Sequence, residues 1–285
     1  MTIDSMFTPR HVLIVGIDGV RFDTLASAGT PRLDGLAARG FLRPVPVNPA
    51  GPTISGPCWT TMVTGVLARD HGVFGNNLAG HRILEYPDVL TRCRAVGLST
   101  YAVAAWAPLV TATDGGPIFL GGGLMPSADP GKDVTASETA DEAVTADACR
   151  VLGGHDCPSA GFVYLATPDV TAHAVGVGPA YAASIERADR WLGQLLDAVA
   201  GRPSYASEAW TIIVATDHGH VDAGGHGGNS PEERTAWIAA AGPSLPPAAP
   251  ALLEQSDVAA HTLHALGIEI DPRWRLHGVP FGGRG

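Results

Sequence analysis

Seven side chains in the 285-residue sequence have the types and spacing that handle a divalent cation and a phosphoryl group. Asp169 and His173 stand four apart, Asp217 and His218 are adjacent, and His226 lies within Gly-Gly-His-Gly-Gly. Asp18, Asp169 and Asp217 each follow an apolar run: VLIVGI, GFVYLATP and TIIVAT. Three carboxylates with three imidazoles suit a borderline cation such as Zn²⁺, and two sites are the natural division. Without cations, three clustered carboxylates would repel one another and raise at least one pKa. Taken singly, each has a plainer reading: Asp-Gly at a strand end is a turn, and a lone His is a surface or satisfied core residue. The seventh is Ser55, among the hydroxyls of Thr53, Ser55 and Thr60 ahead of an apolar helical run that ends at Thr64-Gly65. A helix N-terminus offers unpaired N–H groups to a phosphoryl oxygen. Ser55 reads equally as a nucleophile or as the helix N-cap.

The elements that must position these residues are legible as periodicities. Continuous apolar runs at 12–17, 100–106, 161–167, 211–216 and 236–241 read as strands covered on both faces. Helical patterns fall between them. Thr30-Pro31 starts one that Gly40 stops, and residues 181–200 repeat apolar positions every three or four residues. Alternating strands and helices predict an α/β layer fold with a mostly parallel sheet, in which ligands bind beyond the carboxyl ends of strands. Residues 121–132, rich in Gly and Pro, read as a surface loop.

Composition bounds the partners. An apolar share of 45% with 16% charged residues excludes disordered and fibrous classes. Eighteen basic against 28 acidic residues give a net charge of −10, which repels nucleic acid polymers and anionic membranes, so a phosphate site here needs metal. Residues 1–10 carry Asp4 and no signal-length apolar run, and no 18-residue apolar stretch occurs. The expectation is a cytoplasmic protein without membrane contact, whose Cys58, Cys93, Cys149 and Cys157 stay free thiols.

The ordered motifs IDGVRFD (17–23), TPRLDGLAARG (30–40), Ser-x-Pro with Thr64-Gly65, DVTAH (169–173), TDHG (216–219), GGHG (224–227) and SDVAAHTLHALGI (256–268) resemble the alkaline phosphatase superfamily. Within it they are most similar to the type I phosphodiesterase/nucleotide pyrophosphatase family, over nearly the whole chain. The resemblance implies a three-layer α/β/α sandwich with a mostly parallel central sheet, one catalytic domain over 1–285 and a small cap near 107–135. It further implies two divalent metal ions, Zn²⁺ foremost and Mn²⁺ as the alternative. Asp169, His173 and His226 would hold one, and Asp18, Asp217 and His218 the other, which would also contact Ser55. On this resemblance Ser55 is the nucleophile that becomes a phosphoryl-serine, with the Gly56 N–H and Asn76 bearing charge on phosphoryl oxygens. Asn76 reads equally as a loop-capping residue before Asn77, and Thr53 and Thr60 become bystanders. The substrate is then a small-molecule phosphate ester.

The chain also departs from that pattern. Gly56 is bare where nucleotide-cleaving diesterases carry a bulky residue, and Trp59 stands where sulfatases need a basic one. His226 comes only eight residues after His218, and HGGNSPEER (226–234) looks more like the ethanolamine-phosphate transferases of lipid-anchor synthesis. His220 replaces a common methionine and reads as an extra ligand, an outer partner or a loop histidine. Trp59, Phe74 and Trp106 form a candidate aromatic clamp, with core packing the other reading for Phe74. His71, His81, His261, His264 and His277 read as structural. The expected activity is phosphodiester hydrolysis. Its alternatives are a phosphomonoesterase or phosphotransferase, for which Arg21, Arg69 or Arg82 would supply extra positive charge, and a non-catalytic phosphate-binding relic.

Overall fold

The computed structural model describes residues 8–284, so most of the segment read for targeting lies outside the described residues. The chain opens with β1 (Arg10–Ile17), α1 (Phe22–Leu25), α2 (Pro31–Ala37), β2 (Gly40–Pro46), α3 (Ser55–Thr64), α4 (Ala68–His71) and α5 (Val89–Ala95). Next come β3 (Thr100–Val103), α6 (Ala107–Val110), α7 (Val134–Leu152), β4 (Ala160–Leu165), α8 (Thr167–Val175) and α9 (Pro179–Ala200). It closes with β5 (Ala209–Ala215), α10 (Pro231–Arg234), β6 (Thr235–Ala241) and α11 (Asp257–Ala265).

One six-stranded sheet runs in the order β2-β6-β5-β1-β4-β3. β1 is parallel to both β4 and β5, and β3 to β4, whereas β6 is antiparallel to its neighbours β5 and β2. The mostly parallel expectation holds, with β6 the reversed strand. Gly16 registers with Tyr164 on one side and Ala215 on the other, so β1, β4 and β5 finish at one edge. Asp18, Asp169 and Asp217 all follow that edge.

β1 lies between two apolar layers, because its alternate side chains enter different cores. Val12 and Ile14 pack with Trp59 and Met62 of α3, Leu90 of α5 and Leu263 of α11. Leu13 and Val15 pack with Leu33 of α2, Val144 of α7 and Leu192 of α9. This is the three-layer α/β/α arrangement. Gly16 fits under Trp59, since a Cβ there would meet the ring at 2.6 Å.

Several elements lie beyond the apolar runs, β2 and α7 among them. Gly40 ends the α2 segment as expected and also opens β2, where Phe41 and Val45 are buried while Pro44 and Pro46 are exposed. Proline lacks a ladder donor, which confines it to an edge strand such as this one. Helix α7 buries Ala140, Val144, Ala148 and Leu152 among Ser137, Asp141 and Thr145, an apolar stripe too weak to signal a helix. Elsewhere the predicted elements match within a few residues, apart from 100–106, where pairing ends at Val103. No helix among the described residues is long and apolar enough to cross a membrane, and all four cysteines are free.

Candidate metal and catalytic centre

β1 hands the chain to Asp18, which is fully buried. One carboxylate oxygen, Oδ2, accepts from Trp59 Nε1 at 2.9 Å and from the Tyr164 hydroxyl at 2.6 Å. That leaves Oδ1 facing Ser55 Oγ at 3.5 Å. Asp217, following β5, accepts from the Gly19 N–H at 3.0 Å through Oδ1, while its buried Oδ2 has no donor. Asp169 sits in the first turn of α8, one helical turn from His173, and its buried Oδ1 also lacks a donor. Asp141 of α7 anchors this helix start by accepting from the N–H groups of Ala166 at 3.0 Å and Thr167 at 2.8 Å.

The imidazoles are held by their far nitrogens. His218 Nδ1 donates to the Gly219 carbonyl at 3.1 Å and His226 Nδ1 to the Thr53 carbonyl at 2.8 Å, so each Nε2 lone pair faces inward. His218 Nε2 lies 3.3 Å from Ser55 Oγ and 3.1 Å from Asp217 Oδ2. Asp169 Oδ1 is ringed by Nε2 of His220 at 3.0 Å and of His173 and His226 at 3.6 Å each.

Burial, followed by the charge of Asp169, pushes Asp18 up to about 8. Burial and then the charge of Asp18 push Asp217 well above the usual carboxylate range. For Asp169 burial acts in the same direction, but His220, and after it His218 and His226 in their charged forms, pull it below that range. Burial drives His218 and His226 down, so both are neutral near pH 7, the state that binds metal. Neutral imidazoles, carboxylates that cannot all be charged alone, and orphaned oxygens on Asp169 and Asp217 fit divalent cations in chemistry and placement.

All six acidic and imidazole candidates converge, but their grouping differs in part from the expected division. Asp18, Asp217 and His218 form one trio of atoms within 4.8 Å of one another. His226 groups with Asp169 and His218, and His173 with Asp169 and His220. The His226 ring stacks on His218 with centroids 3.9 Å apart, beside the trio of Asp18, Asp217 and His218.

Around the Asp and His residues several expectations change. Ser55 is the first helical residue of α3 after Ile54, and its hydroxyl makes no cap. The Gly56 N–H, expected to face a phosphoryl oxygen, donates to Asn76 Oδ1 at 2.8 Å, and Asn76 lines the cavity above Ser55. Loop capping falls to Asn77, which accepts from the Ala79 N–H. Thr53 is no bystander: it bonds the Gly227 N–H, the Gly228 carbonyl and, through its own carbonyl, His226. Trp59 is buried beneath the site, and Phe74 is 55% exposed, neither in the core nor against the substrate space.

A cavity of about 260 Å³ opens above Ser55, lined also by Asn76, Trp106, Lys132, Tyr164 and His173. Trp106 is thus the one clamp aromatic that reaches it. Arg21 is tied to Asp23 and Asp222, and Arg82 to the Arg69 carbonyl, so none of the three arginines lines this cavity. The cation that does is Lys132, the sole lysine of the chain, whose isolation in the Gly/Pro-rich loop was the available signal. A larger cleft of about 820 Å³ between α2, α9 and the start of β5 carries none of these side chains.

The family model described as type I phosphodiesterase/nucleotide pyrophosphatase matches residues 12–91 and 99–261. Human ectonucleotide pyrophosphatase/phosphodiesterase family member 7 is 23% identical over 240 residues, 76% of this chain, and the match spans about half, 49%, of that relative's length. Among solved structures, an inactive variant of murine ectonucleotide pyrophosphatase/phosphodiesterase 5 in complex with AMP aligns with a TM-score of 0.65 at 18% identity, covering 92% of this chain and 96% of that one. A 2-O GAG sulfatase aligns with a TM-score of 0.75 at 15% identity over 98% of this chain and 75% of its own. At these identities both structural likenesses speak for the fold.

Proposed function

The chain belongs to the type I phosphodiesterase/nucleotide pyrophosphatase family, and from that premise we propose that it hydrolyses small phosphoric diesters of nucleotide type at a two-cation centre, with Ser55 as nucleophile. The observation that carries the reading is Ser55 Oγ, held 3.5 Å from Asp18 and 3.3 Å from His218 at the floor of an open cavity.

Asp18, Asp217 and His218 would hold one cation; Asp169 and His173, with His226, would hold the other. Such cations, Zn²⁺ foremost, lower the pKa of nearby hydroxyls and neutralise phosphoryl charge. Ser55 Oγ attacks phosphorus in line with the leaving oxygen, and the P–O bond to that oxygen breaks. Water then cleaves the phosphoryl-serine ester. Asn76, oriented by the Gly56 N–H, donates its amide hydrogens to a non-bridging oxygen. Trp106 and Tyr164 offer aromatic surface to the leaving group, which suits a nucleoside. Lys132 favours a second reading, phosphomonoester hydrolysis, because a terminal phosphate carries the extra charge that an ammonium would meet.

Turnover of bis(p-nitrophenyl) phosphate against p-nitrophenyl phosphate, with Zn²⁺ or Mn²⁺ added, separates the two. Faster diester cleavage is the expected result. Faster monoester cleavage that Lys132→Ala abolishes would establish the second reading instead. Ser55→Ala should lose at least about 10³-fold in kcat while retaining its cations. Full activity in that variant would remove Ser55 as nucleophile, and no metal with no turnover would leave a phosphate-binding relic.

A further inference from the structure

Buried histidines elsewhere in this protein are satisfied. His71 bonds Thr61 Oγ1 at 3.0 Å and the Val73 N–H at 3.1 Å. His261 bonds Ser244 Oγ at 3.2 Å and the Phe281 N–H at 3.3 Å. His220 differs: it is fully buried, and neither ring nitrogen has a hydrogen-bond partner. A buried polar group left unpaired is destabilising, so an arrangement that keeps one needs an offset.

The offset is visible in what surrounds it. His220 Nε2 approaches Asp169 Oδ1 at 3.0 Å, and that oxygen is itself buried without a donor. The rings of His173, His220 and His226 form a triangle, with centroids 4.8 Å apart for His173 and His226 and 5.2 Å for the other two pairs. His173 and His226 each bring Nε2 to 3.6 Å from the same Asp169 oxygen. The turn after β1 stays bare to let the ring through: a Cβ on Gly19, at φ +66°, would lie 2.5 Å from His220 Nε2 and 2.8 Å from Asp169 Oδ1.

We propose that His220 is a direct ligand of the cation held by Asp169, His173 and His226, giving that site three imidazoles and one carboxylate. The proposal rests on the two-cation reading above and adds to it a fourth protein donor. A fourth protein donor would hold the ion more tightly than three, and zinc's capacity for a fifth ligand would still admit a phosphoryl oxygen. Three imidazoles also bias the site toward Zn²⁺ or Co²⁺ and away from Mg²⁺ and Mn²⁺, which prefer oxygen.

The test loads the metal-stripped 285-residue protein with Co²⁺ alone and follows its visible ligand-field absorption during titration. Wild type should bind two ions. His220→Met should weaken one of them by at least about 100-fold, more than loss of an outer-sphere partner usually costs, and change that site's band shape and intensity. The trio of Asp18, Asp217 and His218 should keep its affinity. Two ions bound with unchanged spectrum in His220→Met would overturn the proposal while sparing the two-cation reading, as would weaker binding with an unaltered band, which marks a positioning role. No cation bound by wild type would sink the two-cation reading and the proposal with it. Should His220→Met fail to fold, as its metal-free melting curve would report, nitrogen-15 histidine spectra of zinc-loaded wild type decide: a His220 ring nitrogen unmoved by Zn²⁺ would overturn the proposal.

Discussion

Tyr164 and Trp59 both spend their donors on one oxygen of Asp18, and this is how a side chain at the end of β1 comes to offer its other oxygen to Ser55. Neither contact was legible in the chain, because Tyr164 lies 146 residues from Asp18 and an aromatic in an apolar strand reads only as core. Tyr164→Phe removes one donor and no ring volume, so the fold should survive. Cation affinity at the Asp18, Asp217 and His218 trio should fall about 10–100-fold, as for other outer-sphere partners of metal ligands. Calorimetric titration of Zn²⁺ into the metal-free variant checks this, and unchanged affinity would show that Asp18 needs no such orientation. Residue type and local spacing marked Asp18, Asp169, His173, Asp217, His218 and His226 as candidates in the chain, and the shared sheet edge is what brings them together in space. The placement of His220 against Asp169 needed the fold.

At the level of elements, α7 reaches the centre by anchoring the start of α8. Burial raises the Asp141 carboxyl to about 6, against the lowering pull of Thr167 and of the two backbone N–H groups it accepts. Asp141→Ala would leave the buried N–H groups of Ala166 and Thr167 without acceptors. The expected cost is about 2–4 kcal/mol, read as a lower urea midpoint, and with it reduced turnover because α8 carries Asp169 and His173. A loss below about 1 kcal/mol would mean that water or a shifted α7 replaces the carboxylate. Strands β1, β4 and β5 and helix α9 announced themselves by apolar period, whereas α7 and β2 did not. In α7 the buried stripe is made of small and polar residues, and β2 is a half-exposed edge strand whose prolines argue against a strand in isolation.

Across the whole molecule, the end of the sheet opposite the centre is closed by one buried ion pair. Arg202, just beyond α9, bonds Glu208 at 2.8 Å and the Leu152 carbonyl of α7 at 2.8 Å, while Glu208 also accepts from Trp210 of β5. The guanidinium holds Glu208 at about 2, below its ordinary 4.5. A carboxyl lowered on folding stabilises the protein above its unfolded pKa, so this contribution is complete above about pH 4.5 and is lost as pH falls toward 2. Its size is about 2–3 kcal/mol. Glu208→Gln should therefore lower the melting temperature at pH 7 and flatten the acid limb of the stability profile between pH 4.5 and 2.5. A wild-type acid limb retained in that variant would assign the limb to other carboxylates. The sequence by itself determined the alternation of strands and helices, the acidic residues after three strands and the order of the motifs, because apolar periodicity and residue type act within a few positions of one another. Only the tertiary structure decided that β6 runs antiparallel, that His226 stacks on His218, that His220 faces Asp169 and that Lys132 borders the cavity. Each of these depends on which layers pack together over tens to hundreds of residues of chain, a global choice that no local propensity records.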